Sequence, residues 1–325
     1  MTKLTVAIPT YNRANYLKEA IQGILNQTFK DFKLIILDNG SSDNTYEVVK
    51  SFKDDRITYI KNEKNIGGIG NLNKAIEICE TEYLIICHDD DIAESTLLEK
   101  EFNIIDNDPN ISLVASHIKF INENGEIIDD KSRNITKDKI INQKEYIKLN
   151  LLSETILPCP TVMLRTAILK DNNLRFREDV GPAADTYLWF ELNLLQFKFY
   201  FIGESLYKYR IHSEQDSQKN ALELWFKFYI MLKPFLVENG FEDIIPKVSH
   251  RFYVNIMNTL IEKYIFGSLT RDEFRLYVKK AKKLGIKKRF LVTNREIKIY
   301  FKLFLMRISR KLLIRILNVK RGNKK

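Results

Sequence analysis

The sequence predicts an α/β fold, a mostly parallel sheet flanked by helices with a C-terminal helical extension. Three observations carry that expectation. Short apolar runs at 4–8, 32–37, 57–60 and 83–87 alternate with stretches whose apolar residues recur at helical spacing, which is the pattern of βαβ units. Each run ends in a polar or glycine-rich segment. Beyond residue 219 the strand pattern stops and the chain turns helical and aromatic.

Leu4-Thr5-Val6-Ala7-Ile8 reads as the first strand, ending at Pro9-Thr10-Tyr11-Asn12-Arg13. Leu17, Ala20, Ile21, Ile24 and Leu25 then share a helical face, with Asn12 placed to cap that helix. The second strand ends at Asp38-Asn39-Gly40-Ser41-Ser42-Asp43 and leads to a helix through Tyr46, Val49 and Phe52. After the third strand, Asn65-Ile66-Gly67-Gly68-Ile69-Gly70 opens a helix reaching Cys79. These glycines lack the spacing of a dinucleotide fingerprint, and no Walker lysine follows. They read as turn residues that let backbone approach a ligand closely. The fourth strand, Tyr83-Leu84-Ile85-Ile86-Cys87, runs straight into His88-Asp89-Asp90-Asp91.

In open α/β sheets ligands gather at the carboxyl ends of the strands, and all four polar loops fall there. Three adjacent aspartates repel one another unless a positive group lies among them. Their hard oxygens suit Mn²⁺ or Mg²⁺. From the residues alone a second reading stays open, a solvated acidic turn in which Asp91 caps the next helix.

A helix follows at 97–105, then a strand at 111–120 with His117 a packed or half-exposed residue within it. Residues 122–139 are polar and turn-rich, fitting an acceptor-side loop. A helix at 146–152, the rigid Pro158-Cys159-Pro160 and a strand at 161–164 come next. Leu188, Trp189, Leu192 and Leu195 form a helix face that puts Asp185 at that helix's N-terminus, where it reads as an N-cap. Segments 197–202 and 205–211 read as a strand pair turning at Gly203 and ending at Tyr209-Arg210-Ile211-His212-Ser213. Helices are expected at 222–237, 244–266 and 271–284.

With 45% hydrophobic and 29% charged residues in 325, the chain has the composition of a folded protein. Cys79, Cys87 and Cys159 have no metal-ligand spacing, and their odd number argues against a disulfide framework. A reducing cytoplasm fits, and neither a signal peptide nor a membrane span is expected. The net charge of +10 is uneven. Residues 286–325 hold 14 of the 52 Lys/Arg and one of the 42 Asp/Glu, which leaves 38 basic against 41 acidic residues elsewhere. In this tail Phe301, Leu305, Ile308, Leu312, Ile316 and Val319 form one helical stripe, with Lys302, Arg307, Arg310, Lys311 and Arg315 off it. A basic amphipathic helix binds anionic membrane surfaces, at about 1 kcal/mol per basic residue. Membrane contact through 297–325 is therefore expected and nucleic acid is not; packing on the protein's own body is the alternative.

Pro9-Thr10-Tyr11-Asn12-Arg13, Asp38-Asn39-Gly40-Ser41-Ser42-Asp43, Asn65-x-Gly67 and Asp89-Asp90-Asp91, in this order and each at a strand end, resemble family 2 glycosyltransferases with the GT-A fold, of the bacterial surface-polysaccharide type. The resemblance covers the first hundred residues well and the next hundred more loosely. It implies a metal-dependent, inverting transfer of a sugar from a nucleotide-diphosphate donor to a hydroxyl of a saccharide or lipid-linked acceptor. Pro9, Thr10, Tyr11 and Arg13 would line the base pocket, and Asp38 would accept a hydrogen bond from the base. Asn65, Gly67, Asn71 and Asp89 would complete the donor site, and Asp90 would hold the ribose. Asp91 would ligate Mn²⁺ or Mg²⁺, with His212 a further metal or diphosphate ligand. Asp185 would be the general base, with Glu178 and Asp179 in reserve, although a helix N-terminus lowers a carboxylate's pKa. His88 stands where the family has an acidic residue, and Leu72 where it often has an arginine. The implied division is a catalytic domain at 1–215, with a donor half at 1–115 and an acceptor half at 116–215, then a helical extension at 216–325. The implied location is cytoplasmic, on the inner face of the cytoplasmic membrane. Two rivals fit less well: a sugar nucleotidyltransferase, for which residues 9–13 lack a glycine-rich basic loop, and a non-catalytic carbohydrate-binding relative.

Overall fold

A computed structural model describes residues 2–129, 137–153, 156–212 and 221–286. The basic stripe expected at 297–325 lies outside the described residues. The chain divides into two compact units, 1–178 with 183–215, and 179–182 with 216–325.

The first unit opens with β1 (Leu4–Thr10), α1 (Ala14–Leu25), β2 (Phe32–Asp38), α2 (Thr45–Ser51), β3 (Ile57–Lys61), α3 (Gly68–Ile78) and β4 (Tyr83–Ile86). It continues with β5 (Ile92–Ala93), α4 (Leu97–Asn107), β6 (Ile111–Ile121), β7 (Ile127–Asp129), β8 (Lys139–Ile141) and α5 (Glu145–Ser153). β9 (Val162–Arg165), α6 (Thr166–Asp171), α7 (Ala184–Leu194) and β10 (Lys198–Arg210) complete it. One sheet runs in the order β3-β2-β1-β4-β9-β6-β10-β5, with β7 on β6 and β8 on β10. β1, β2, β3 and β4 pair in parallel, as do β6 and β10, while β9 lies antiparallel between β4 and β6. Register aligns the strand ends that matter: Thr10 pairs with Asp38, and Asp38 with Lys61. The loops after β1 and β2 therefore leave one edge side by side.

Leu4, Val6, Ile8, Leu34 and Ile36 pack with Leu17, Ala20, Ile21 and Ile24 of α1 in one buried cluster. Each such side chain contributes roughly 1.5–3 kcal/mol when fully removed from water. The alternation of strand and helix in the sequence is thus the alternation of the fold.

Three local expectations change. The strand pair expected around Gly203 is one strand, β10, whose register against β6 shifts between Ile202 and Tyr207. Gly203 marks that irregularity: a Cβ there would meet Lys137 backbone at 2.6 Å, and its N–H donates to Asp138 Oδ1 at 3.0 Å. Only a glycine admits so close a backbone approach. Asn12 does not cap α1. It sits at φ 53 and accepts from Ser42 N–H at 2.8 Å, while Ala14 N–H at the helix start donates to Asp43 at 3.0 Å. The polar stretch read as loop also contains β7 and β8, which are short and edge-bound and so carry little apolar pattern.

Glu101 on α4 is fully buried, and neither carboxyl oxygen has a hydrogen-bond partner among the described residues. Burial holds its pKa well above 4.5. The folded state keeps the proton, and the unfolded chain releases it above pH 4.5. Stability should fall by about 1.4 kcal/mol per pH unit from there until the folded group itself ionises. Urea denaturation of wild type and Glu101→Gln at pH 5 and pH 8 should show the variant gaining on wild type as pH rises. A difference independent of pH would show that Glu101 is not held protonated.

The second unit carries α8 (Ala221–Glu238), α9 (Ile245–Ile265) and α10 (Arg271–Lys283). Phe226, Leu232, Phe252 and Leu260 are buried within it. Thr270 and Glu273 form a reciprocal capping box at the start of α10. No helix of the described residues is long and apolar enough to cross a membrane.

Candidate functional site

The loops at the carboxyl ends of β1, β2 and β3 are laced together by side chains. Asn12 N–H donates to Ser41 Oγ at 2.9 Å, beside the Ser42–Asn12 bond. Asn39 Nδ2 donates to Asn65 Oδ1 at 2.9 Å and to Gly67 O at 3.1 Å, and Asn39 Oδ1 accepts from Asn62 Nδ2 at 3.0 Å. Gly67 has φ 82, a conformation that favours glycine, and its N–H donates to Asn65 Oδ1 at 2.8 Å. Asn71 is buried and donates to Leu37 O at 2.8 Å. Asn65, Gly67 and Asn71 thus shape the loop.

Asp38 is fully buried. Its Oδ1 accepts from Ser41 N–H at 2.7 Å and its Oδ2 from the Tyr59 hydroxyl. Its carboxylate organises the turn in this conformation. Thr10 is buried and Pro9 half-buried, whereas Tyr11 is 44% exposed and offers an open aromatic face at the same edge.

The acidic run is an organised cluster. Arg13 donates to Asp89 at 3.1 Å and to Asp90 at 2.8 Å. Burial pushes Asp89 up to about 6. Burial acts on Asp90 in the same sense, but His88, His212 and Arg13 outweigh it and hold Asp90 below the usual carboxylate range. Asp91 is 1% exposed and does not cap a helix, since α4 starts only at Leu97. Its Oδ1 accepts from Arg210 N–H at 2.8 Å. Burial raises its pKa above 3.8. Donor atoms of His88, Asp90 and Asp91 lie within 4.8 Å of one another. Asp91 Oδ2 faces His88 Nδ1 at 3.2 Å, and two buried carboxylates so close together cost free energy unless positive charge lies beside them. The donor set fits Mn²⁺, and Mg²⁺ to the extent that its oxygens dominate.

Arg210, 1% exposed, ties the cluster together. Its Nε donates to Asp90 O at 2.7 Å, NH2 to Glu19 at 2.6 Å and NH1 to Glu123 O at 2.8 Å, and its guanidinium lies 5.0 Å from the Tyr16 ring centre. His212 Nε2 lies 2.9 Å from Asp90 Oδ2, with its ring 5.2 Å from Tyr16. It therefore stands beside the trio, engaged with Asp90.

Asp185 is the second residue of α7, after Ala183 at the cap position. Its Oδ1 accepts from Thr186 N–H at 2.5 Å. The sequence leads one to expect a helix N-terminus to depress this carboxylate. Instead burial pushes its pKa up, ahead of the opposing effects of the Thr186 amide and of His88. Cys159 also feels its charge. A half-buried carboxylate with a raised pKa, close to His88, is better suited to take a proton than an ordinary aspartate. Glu178 and Asp179, the reserve candidates, are both exposed.

Residue patterns alone did not mark Arg210, Tyr207, Glu19 or Cys159. Arg210 stood in the Tyr-Arg-x-His motif at a strand end, the one signal available. Tyr207 accepts from His88 N–H at 3.1 Å, and Cys159 couples electrostatically to the His88 ring.

The family model for glycosyl transferase family 2 matches residues 5–171. A glycosyltransferase of Methanocaldococcus jannaschii is 38% identical over 212 residues, 64% of this chain and 70% of the relative. A GalNAc(5)-diNAcBac-PP-undecaprenol β-1,3-glucosyltransferase of Campylobacter jejuni is 31% identical over 252 residues, 74% and 75% of the two chains. Among solved structures, S. aureus TarS 1–349 in complex with UDP-GlcNAc superposes with a TM-score of 0.58 at 19% identity, over 80% of each chain. Mannosyltransferase PcManGT from Pyrobaculum calidifontis, in complex with GDP-Man and Mn²⁺, gives 0.55 at 15% identity, over 94% of this chain and 85% of that one. These two likenesses concern the fold. Taken with the family match and the motif loops gathered at one sheet edge, they place the chain as a glycosyltransferase of family 2 with the GT-A fold.

Proposed function

We propose that the protein transfers a sugar from a nucleotide-diphosphate donor to a hydroxyl of a saccharide or lipid-linked acceptor, with inversion and with a divalent cation, in cell-surface polysaccharide synthesis. The observation that carries this reading is the buried carboxylate of Asp91, whose donor atoms lie within 4.8 Å of those of His88 and Asp90. Asp91, Asp90 and His88 would hold Mn²⁺ or Mg²⁺, with His212 adjacent. When bound, the cation supplies positive charge to the diphosphate as it leaves. Tyr11 and Arg13 flank the donor edge, and Arg13 keeps Asp89 and Asp90 oriented. Asp185 takes the proton of the acceptor hydroxyl as that oxygen attacks the anomeric carbon, in one displacement with no covalent sugar–enzyme intermediate. The Campylobacter relative's undecaprenol-linked substrate supports a lipid-linked acceptor here, and with it a site on the inner face of the cytoplasmic membrane. The basic stripe at 297–325 supplies the surface contact in that reading.

Thermal unfolding with UDP, GDP, CDP or dTDP, each with Mn²⁺ and with EDTA, tests this. One nucleotide should raise the melting temperature only with metal. Saturation at 100 times Kd is worth roughly 2.7 kcal/mol, enough to move the transition by several degrees. No shift with any of the four would overturn the donor site.

A further inference from the structure

We infer that His88 is a direct nitrogen ligand of the divalent cation and sets its identity, making this a mixed nitrogen–oxygen site that prefers Mn²⁺ over Mg²⁺. The inference rests on the cation reading above and goes beyond it by naming the ligand and the selectivity.

His88 Nδ1 stands 3.2 Å from Asp91 Oδ2, the two groups facing each other as a pair. Two neighbouring ligands of one octahedral cation, each bonded at about 2.1 Å, stand about 3 Å apart. The pair therefore also has the separation of two ligands on one ion, which would replace their direct contact. Asp91 and Asp90 are buried on the inner side, while 32% of the His88 side chain is exposed, which leaves an ion a way in. The His88 backbone is fixed by groups that do not depend on its side chain. Cys87 N–H donates to Ala7 O at 2.9 Å and His88 N–H to the Tyr207 hydroxyl at 3.1 Å.

An imidazole in place of a carboxylate changes which ion the site favours. Carboxylate oxygens suit Mg²⁺, whereas imidazole favours first-row transition ions, with affinity rising from Mn²⁺ to Co²⁺ and beyond. Replacing His88 by aspartate should return the site to hard-oxygen character.

The test is pulsed electron paramagnetic resonance of Mn²⁺ bound to the full chain, alone and with UDP or GDP. Wild type should show imidazole ¹⁴N modulation. His88→Gln should lose it and bind Mn²⁺ about tenfold more weakly or worse, the scale seen for losing even second-layer partners. His212→Gln should keep the modulation. His88→Asp should shift the Mg²⁺/Mn²⁺ affinity ratio towards Mg²⁺, and as a small polar substitution it checks that the first variant's loss is not misfolding. Nitrogen modulation persisting in His88→Gln, or absent from wild type with Mn²⁺ bound, would overturn the assignment and leave the cation reading intact. No bound Mn²⁺ in wild type under any of the three conditions would instead sink the cation reading, and this proposal with it.

Discussion

Asp185→Asn should bind donor nucleotide as wild type does and lose sugar transfer by about 10²–10⁴-fold, the range that a positioned general base contributes. The substitution preserves shape and keeps an oxygen able to accept the Thr186 N–H, so α7 retains its start. What it removes is the proton acceptor. Burial raises the Asp185 pKa above 3.8. The base is active only when deprotonated, so the wild-type transfer rate should climb with pH through that raised value. The residual rate of Asp185→Asn should lack this limb. Transfer assays across pH, paired with nucleotide binding, separate a lost base from a lost fold. Near-normal transfer by the variant would remove Asp185 from the mechanism.

Asp91→Ala should abolish metal-dependent nucleotide binding and reduce turnover by about 10³-fold or more, since a cation on the leaving group is worth several kcal/mol. Alanine also removes the acceptor of the Arg210 N–H, a bond of 2.8 Å. Asp91→Asn distinguishes the two losses. It retains an Oδ1 for Arg210 but removes the charge from Oδ2, the atom that faces His88. Equal loss in both variants, with unchanged melting temperatures in the absence of nucleotide, assigns the effect to the cation. If Asn restored binding, Asp91 would be acting through Arg210 rather than through a metal.

The donor half of the fold was legible in the sequence because β1, β2 and β4 are largely buried and its loops carry distinctive chemistry. The runs predicted at 4–8, 32–37, 57–60 and 83–87 match β1 to β4 to within two residues at each end. Legibility fell where tertiary contact overrides local pattern. Gly203 looked like a turn because glycine punctuates turns; only the neighbouring Lys137 backbone shows that it permits a close approach within one strand. Asn12 had the residue type of a cap, but Asp43, from the loop after β2, takes that role towards Ala14.

The candidate site divides in the same way. Asp91 and Asp185 drew attention at a strand end and a helix start, and the roles proposed for them come from the family resemblance. Two inferences about their surroundings could not be drawn that way. The sequence places Asp185 at a helix N-terminus, yet burial, which depends on the packing of distant segments, decides the direction of its pKa. Arg210 lies 119 positions from Asp91, and no spacing rule links them. The bonds that Asp38 accepts from Ser41 and Tyr59 likewise depend on how the loop after β2 meets β3, which no local pattern announces. His88, the departure from the family pattern, has its ring 3.2 Å from Asp91 Oδ2, a contact that residue type alone does not announce.

In the proposed mechanism a cation at Asp91 joins the donor diphosphate to the protein, while Asp185 serves only the acceptor. Isothermal titration of the stabilising nucleotide into wild type, Asp91→Ala and Asp185→Asn, each with Mn²⁺ and with EDTA, tests it most directly. The expected result is binding by wild type and Asp185→Asn that chelation removes, and no metal-dependent binding by Asp91→Ala. Metal-dependent binding of equal strength by all three proteins would contradict it.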